Sequence, residues 1–389
     1  MDITIEYIIL HITLIVVMYY VGKDLDLINK TSYDKKYWFK SRWAIVAFTI
    51  EEGFRWGRFG DWIHYYFQYN FNNLESYEFL FRYTWQLYYS LGIPFCIVMS
   101  ISALIFICSI LFFIKPYQGL LKYILPMVVL YTTLGFEQFI RWYIALSFVL
   151  VSFRLFLDKK YIYTLLFVLL GFFHHYGIIV FVPMFLILYY VHVRVNPMII
   201  IGASVFLIFL FSSQWLLYLS RPINSLFSYF EVFNGYQQDI EGWLTGTGQN
   251  ANLERKSSIV YLISMIPLYV ILITNYSLIK NNIDRGTHFL YINYLLSSLG
   301  ILLISFSSGL EFLGRYCELF YVFISISFAL GWNYYMNKKD VACRIPFLFL
   351  LSLFFVYKFY LFVRPLLHED MMTYWWNYTL NPWTLIKYY

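Results

Sequence analysis

The sequence predicts an all-α polytopic membrane protein, a single integral membrane domain over residues 1–389 with about twelve transmembrane helices, roughly ten to fourteen. Three observations lead there. The chain is 61% hydrophobic and 13% charged, with a mean hydropathy of +0.62, whereas a soluble domain is about 45–50% apolar and 25% charged. Apolar runs close to the roughly 20 residues that a helix needs to cross the hydrocarbon recur along its length. Lysine and arginine collect in alternate gaps between those runs, as the positive-inside rule requires of a multi-pass chain.

Taken in order, the expected spans lie near 3–21, 41–54, 93–114, 121–136, 138–157, 161–173, 177–191, 197–218, 258–279, 287–307, 316–336 and 345–363. Each must satisfy its own backbone hydrogen bonds in lipid, which a helix does. The first is expected to stay on the mature protein, because Asp2 and Glu6 stand where a signal peptide is basic and no small-residue cleavage site follows. Segments 41–54 and 161–173 are short for a full crossing, and 121–136 is interrupted by Pro126, so these three are expected to be tilted, re-entrant or broken. Two longer outer segments between spans, 55–92, rich in tyrosine and tryptophan, and 219–257, are large enough to build a site. The second carries Gly246-Thr247-Gly248, which lacks the GK[ST] of a nucleotide loop. Cys96, Cys108, Cys317 and Cys343 show no CxxC spacing and read as small core residues.

The net charge of +6 is spread between spans rather than gathered on a soluble face, so no nucleic-acid partner is expected. One set of gaps holds 17 of the 28 Lys and Arg residues: Lys23, Lys30, Lys35, Lys36, Lys40, Arg42, Lys115, Lys122, Arg154, Lys159, Lys160, Arg194, Lys280, Arg285, Lys338, Lys339 and Arg344. That set is expected to be cytoplasmic, with both termini on the other side. The opposite face is dominated by arginine: Arg55, Arg58, Arg82, Arg141, Arg221, Arg255, Arg315 and Arg364. A guanidinium is a planar fork matched to phosphate oxygens, so this bias points to an anionic ligand there; the plain reading is that arginine tolerates partial burial better than lysine.

Four clusters on that face could carry chemistry. Glu51-Glu52-Gly53-Phe54-Arg55-Trp56-Gly57-Arg58-Phe59-Gly60-Asp61 offers an anion clamp beside a carboxylate able to accept a proton, or else an interfacial charge network. In Glu137-Gln138-Phe139-Ile140-Arg141-Trp142 the plain alternative is an intrahelical Glu137–Arg141 pair at i,i+4. Gly171-Phe172-Phe173-His174-His175-Tyr176-Gly177 brings two adjacent histidines that point to different sides of a helix. No HExxH spacing accompanies them, so no metal site is expected. Glu311-Phe312-Leu313-Gly314-Arg315-Tyr316 again sets an arginine beside a carboxylate.

These motifs resemble, over most of the chain, those of the polytopic polymerases of bacterial surface polysaccharides, the Wzy class, and within it the EpsG-like branch. Arg58-Phe59-Gly60-Asp61 with Tyr65 is similar to R-x-G-x-D…Y, and Arg141-Trp142-Tyr143-Ile144-Ala145 to R-Q-x-I-A. Phe173-His174-His175-Tyr176-Gly177 looks like F-H-x-S-A, and Arg315-Tyr316 precedes a late span. Departures are Trp142 for the usual glutamine, Tyr176-Gly177 for Ser-Ala, and the doubling of the first motif as Arg55-Trp56-Gly57-Arg58.

The resemblance implies a GT-C-like glycosyltransferase architecture in the bacterial inner membrane. Its substrates would be a polyprenyl-diphosphate-linked oligosaccharide donor and acceptor, joined on the outer leaflet into O-antigen, capsule or exopolysaccharide. Arg55, Arg58, Arg141, Arg315 and Arg221 would bind the diphosphate, and the proton acceptor would be Asp61, His174 or, third, Glu137. Tyr65, Trp142 and Tyr316 would face sugars, with the polyprenyl tails in grooves between helices. Guanidiniums in a dry site can stabilise a leaving diphosphate without a metal, so no cofactor is expected. A chain-length regulator and a flippase of the same pathway are the expected protein partners. A glycan ligase using the same donor is the nearest alternative. A flippase of lipid-linked oligosaccharide would need charges along a path through the bilayer, and here they gather at one face.

Overall fold

The computed structural model describes residues 3–56, 60–75, 77–190, 195–211, 258–281, 287–307, 311–338, 341–363 and 373–374. Among them are fourteen α-helices: α1 (Ile3–Asp26), α2 (Tyr33–Gly53), α3 (Gly60–Asn70), α4 (Phe79–Ser90), α5 (Phe95–Ile114), α6 (Leu121–Gln138), α7 (Ile140–Leu157), α8 (Tyr161–His174), α9 (Phe181–Tyr190), α10 (Pro197–Phe211), α11 (Ser258–Asn281), α12 (Thr287–Ser307), α13 (Glu311–Met336) and α14 (Val341–Val363). Seven of these, α1, α5, α7, α11, α12, α13 and α14, are long and apolar enough to cross a membrane. The chain is thus an all-helical polytopic membrane protein. Its contacts divide it into two compact units, Met1–Val191 with Ile345–Tyr389, and His192–Arg344.

Several expected spans change in detail. α2 begins at Tyr33, well before residue 41, so its first two turns carry Asp34, Lys35, Lys36 and Lys40. α6 runs unbroken through Pro126, which sits in its second turn. There the missing N–H deprives only the Lys122 carbonyl, close to the helix end, where such a loss is most easily absorbed. α8 and α9 remain short, at 14 and 10 residues; at 1.5 Å per residue α8 rises only about 21 Å.

In the first unit apolar exposure runs opposite to that of a soluble protein. α1 leaves Ile5, Ile9, Ile12 and Val16 exposed at helical spacing, while Tyr7, His11, Leu14 and Met18 are buried against its neighbours. α8 likewise exposes Ile162, Leu165, Leu166 and Leu169. Lipid is the solvent that such faces fit.

The lysine-rich gaps meet at one end of this unit. Asp26 at the end of α1 accepts hydrogen bonds from the backbone N–H groups of Gly119 (2.7 Å), Leu121 (3.1 Å) and Lys122 (3.2 Å). It thereby caps α6, whose own N-cap residue Leu120 makes no side-chain cap, and its charge complements the helix dipole. Lys115 pairs with Asp34 at 2.7 Å and Lys40 with Asp24 at 3.5 Å, and the Tyr33 hydroxyl donates to the Lys115 carbonyl at 2.8 Å. Because α1 ends here while α2 and α6 begin here and run away, residues 3–11, 51–55 and 137–141 are carried to the opposite end.

The stretch 55–92 holds α3 and α4, packed on one aromatic core. Trp62, Tyr65, Tyr69, Leu74, Phe81, Trp85 and Phe95 are all buried there. Most rings approach edge-on or tilted, as their quadrupoles favour, with Phe81 and Trp85 4.4 Å apart and Tyr65 and Trp85 5.8 Å, while Trp62 stacks on Tyr66 at 5.6 Å. After α2 the chain makes a two-residue strand, Arg55–Trp56, paired antiparallel with Thr373–Tyr374 so that Arg55 faces Tyr374.

Close helix approach depends on glycine at two places in this unit. A Cβ at Gly22 would lie 2.5 Å from the Leu121 carbonyl oxygen of α6, and one at Gly53 would lie 2.5 Å from Cα of Ser100 on α5. Backbone cannot rotate aside, so Gly53→Ala is expected to lower stability by about 1–3 kcal/mol. A detergent melting curve checks this, and an unchanged midpoint would show that α2 moves freely off α5.

The second unit, α10 to α13 among the described residues, is stitched by hydroxyls and amides. Ser204 contacts Tyr269 Oη at 2.6 Å and Ser305 Oγ at 2.5 Å, while Ser327 joins Ser297 at 2.6 Å and accepts from Asn293 at 2.9 Å. Small residues allow the helices to approach and their hydroxyls bridge them, the packing mode expected where lipid supplies no hydrophobic drive. Cys96, Cys108 and Cys317 form no disulfide among the described residues.

Candidate functional site

At the end of the first unit opposite the lysines, α1, α2 and α6 enclose a cluster of ionisable side chains. Glu52 and Glu137 are 0% exposed, His11 and Arg55 1%. The Tyr7 hydroxyl donates to Glu137 Oε1 at 2.7 Å. His11 Nδ1 lies 2.6 Å from Glu51 Oε1 and 3.0 Å from the Tyr7 carbonyl oxygen. Both neighbours are acceptors, so the ring's proton belongs on Nδ1. His11 Nε2 faces Glu52 Oε1 at 3.7 Å and Glu137 Oε1 at 3.9 Å.

Arg55 closes the cluster. Its Nε stands 3.2 Å from Glu52 Oε2 and donates to the Glu52 carbonyl at 3.2 Å, while Nη1 and Nη2 make no hydrogen bond. Beneath it lies an apolar floor: the guanidinium is 6.0 Å from the Phe136 ring, which stacks on Phe106 at 5.4 Å. Charges at membrane depth are expensive and persist chiefly where they pair or do work.

A second polar group begins one turn further along the chain. α6 ends at Gln138 and α7 begins at Ile140, with Phe139 between them at φ −115°, ψ 54°. This break removes the i,i+4 geometry, so Glu137 and Arg141 do not pair within one helix. Glu137 turns into the α1–α2 cluster, and Arg141 Nη1 reaches Glu78 Oε2 at 2.6 Å, its guanidinium 4.8 Å from the Tyr77 ring. Both partners retain some exposure, 17% for Arg141 and 11% for Glu78.

The His174–His175 turn ends on the same group. His175 is extended and accepts from Gly177 N at 3.1 Å, starting a short 3-10 turn, Tyr176–Val180. Its ring meets Trp142 edge-on at 4.7 Å, and its Nδ1 is 3.8 Å from Glu78 Oε1. His174 points elsewhere, against Phe148 at 5.1 Å. Its Nδ1 is 2.8 Å from the Leu170 carbonyl, which puts the proton of the neutral ring on Nδ1 and the lone pair on Nε2. The two histidines diverge because α8 ends at His174 and His175 is already extended.

The sequence model of the EpsG family matches residues 41–380. The chain belongs to the EpsG family. No curated protein and no solved structure matches. An EpsG-family chain is a membrane protein of the polysaccharide-polymerase type, and the helices described above provide its membrane-spanning frame.

Set on this frame, the residues singled out in the EpsG-family sequence separate. Arg55 and Glu137 fall in the enclosed cluster, Arg141 and Trp142 in the second group, and His174 beside it. Tyr65 is buried in the aromatic core, among Tyr77, Phe81 and Trp85. Arg315 and Tyr316 stand in the first turns of α13, in the other unit. Arg58, Arg221, the segment 219–257 and the side chain of Asp61 lie outside the described residues.

Three residues of these groups were not singled out from sequence: Tyr7, His11 and Glu78. His11 carried a signal, being an ionisable residue inside the first apolar run, four residues after Tyr7. Glu78 carried none, because its partner is 63 residues away.

Proposed function

We propose that this protein polymerises polyprenyl-diphosphate-linked oligosaccharide repeat units into a surface polysaccharide, an O-antigen, capsule or exopolysaccharide. The proposed site is on the outer leaflet of the bacterial inner membrane, in a GT-C-like frame of about twelve spans with both termini outside. A growing glycan on its lipid diphosphate passes to a hydroxyl of a fresh repeat unit. The anomeric carbon–phosphate bond breaks as the new glycosidic bond forms, and the lipid diphosphate leaves.

One observation supports this reading most: in an EpsG-family chain, Arg141 and Glu78 form a partly exposed ion pair at the end of the first unit opposite the lysines. A diphosphate can take the place of Glu78 on this guanidinium, gaining charge-assisted hydrogen bonds as negative charge develops on the leaving oxygen. Arg58, Arg315 and Arg221 are proposed as further diphosphate ligands, with no metal or cofactor taking part at the phosphates. Arg55, enclosed with Glu52, is less accessible than Arg141. Tyr65, Trp142 and Tyr316 are proposed to face sugars, Tyr65 and Trp142 through the aromatic shell around the site.

The attacking hydroxyl gives up its proton to Asp61 or His174; Glu137, fully enclosed and engaged by Tyr7, ranks third. Purified protein incubated with its lipid-linked repeat unit is expected to produce a ladder of products. In that assay either Asp61→Asn or His174→Gln is expected to lower the rate about 100-fold or more, and full activity in both would remove both from the proton transfer. A single product joined to a different acceptor would favour a ligase instead. The polymer-length regulator and the flippase of the same pathway remain the proposed partners.

A further inference from the structure

The enclosed cluster of the first unit has a second property, independent of the polymerase reading. His11, Glu52 and Glu137 each offer one ligand atom, and all three atoms lie within 4.8 Å of one another. We propose that they bind a divalent first-row cation, held between α1, α2 and α6 as a structural and positioning ion rather than at the transferred phosphates.

The spacing fits coordination. His11 Nε2 is 3.7 Å from Glu52 Oε1 and 3.9 Å from Glu137 Oε1. With the third edge no longer than the stated limit, a point equidistant from the three atoms lies about 2.2–2.5 Å from each, against roughly 2.0–2.2 Å for nitrogen and carboxylate bonds to zinc. A contraction of a few tenths of an ångström completes the bonds.

The ring orientation fits as well. A metal-binding histidine characteristically gives its other N–H to a carboxylate or a carbonyl, which fixes the tautomer and aims the lone pair at the ion. His11 Nδ1 has both acceptors beside it, Glu51 Oε1 and the Tyr7 carbonyl, and its Nε2 is turned toward Glu52 and Glu137. Tyr7 donates to Glu137 Oε1 and orients that ligand in the same way.

Glu52 supplies a separate indication. It is 0% exposed, and while Arg55 Nε stands 3.2 Å from its Oε2, its Oε1, turned toward His11 Nε2, accepts no hydrogen bond; burial of a carboxylate oxygen in that condition is costly unless a cation also satisfies it. Three carboxylates, Glu51, Glu52 and Glu137, converge here on His11, and the guanidinium of Arg55 pairs with Glu52 among them. With neutral His11, a divalent ion brings the sum of these charges to zero. One imidazole among carboxylates suits manganese or zinc better than magnesium or calcium, which take oxygen ligands.

The test uses the full chain in detergent or nanodiscs, grown with added manganese and also stripped and reloaded with Mn2+. Elemental analysis is expected to find about one tightly held equivalent, and pulsed electron paramagnetic resonance to find coupling to a single imidazole nitrogen. Glu52→Gln and Glu137→Gln are expected to weaken retention at least tenfold, and His11→Gln to abolish the nitrogen coupling. Less than a tenth of an equivalent of manganese, zinc, iron, cobalt or nickel in the wild-type protein after loading would overturn the proposal. So would bound Mn2+ lacking nitrogen coupling, or coupling that survives His11→Gln. The wild-type measurements stand even if a variant fails to fold. Because the readout is metal content and spectrum, its outcome is separate from whether the protein polymerises glycan.

Discussion

Arg141→Ala is expected to lower polymer formation about 100- to 1,000-fold, the loss typical of one preorganised group that stabilises developing negative charge. Single, unpolymerised repeat units should accumulate on lipid in cells, visible as a collapse of the glycan ladder while the protein remains inserted and folded. The substitution deletes the partner of Glu78, whose carboxylate keeps 11% exposure, so solvation limits the structural penalty there. Arg141→Lys should recover only part of the activity, because an ammonium cannot reproduce a planar two-pronged contact with phosphate oxygens. Glu78→Gln gives the complementary result: with its resting partner weakened, Arg141 remains available to the diphosphate, and activity should fall far less than with Arg141→Ala. Full-length polymer from Arg141→Ala would remove the residue from the diphosphate site.

Arg55→Met is expected to act on the fold instead. Removing one partner of a buried ion pair costs about 3–5 kcal/mol, since the remaining carboxylates lose their compensation in a low-dielectric interior. Arg55 and Glu52 are both enclosed, with 3.2 Å between Nε and Oε2. The variant should therefore melt well below wild type in detergent and insert in lower yield. Pairing it with Glu52→Gln should restore part of the stability, because the charge left behind is then also removed. A variant as stable as wild type but unable to polymerise would place Arg55 on substrate rather than in the scaffold.

The contrast between these arginines shows where sequence reading runs out. Both were recognisable as outer-face arginines beside carboxylates, and both sit in motifs that resemble the polymerase family. Which carboxylate each one meets was not legible. Glu137 and Arg141 invite an i,i+4 pairing, and one non-helical residue, Phe139, cancels it by ending α6 and restarting the chain as α7. Arg141 then finds Glu78, 63 residues earlier, and Glu137 finds Tyr7, 130 residues earlier.

Likewise the aromatic stretch 55–92 was recognisable as unusual, yet only packing reveals that Tyr65 and Trp85 share a core. Lipid-facing composition, the helical class, the separation of lysine from arginine and the family motifs are local properties, set by transfer free energies and residue chemistry position by position. They follow from the order of amino acids alone. The enclosed His11–Glu52–Glu137 set and the choice of ion-pair partners arise only when α1, α2 and α6 close together. Burial strips water from every charge in that space, and the nearest group of opposite sign or matching lone pair then decides its role.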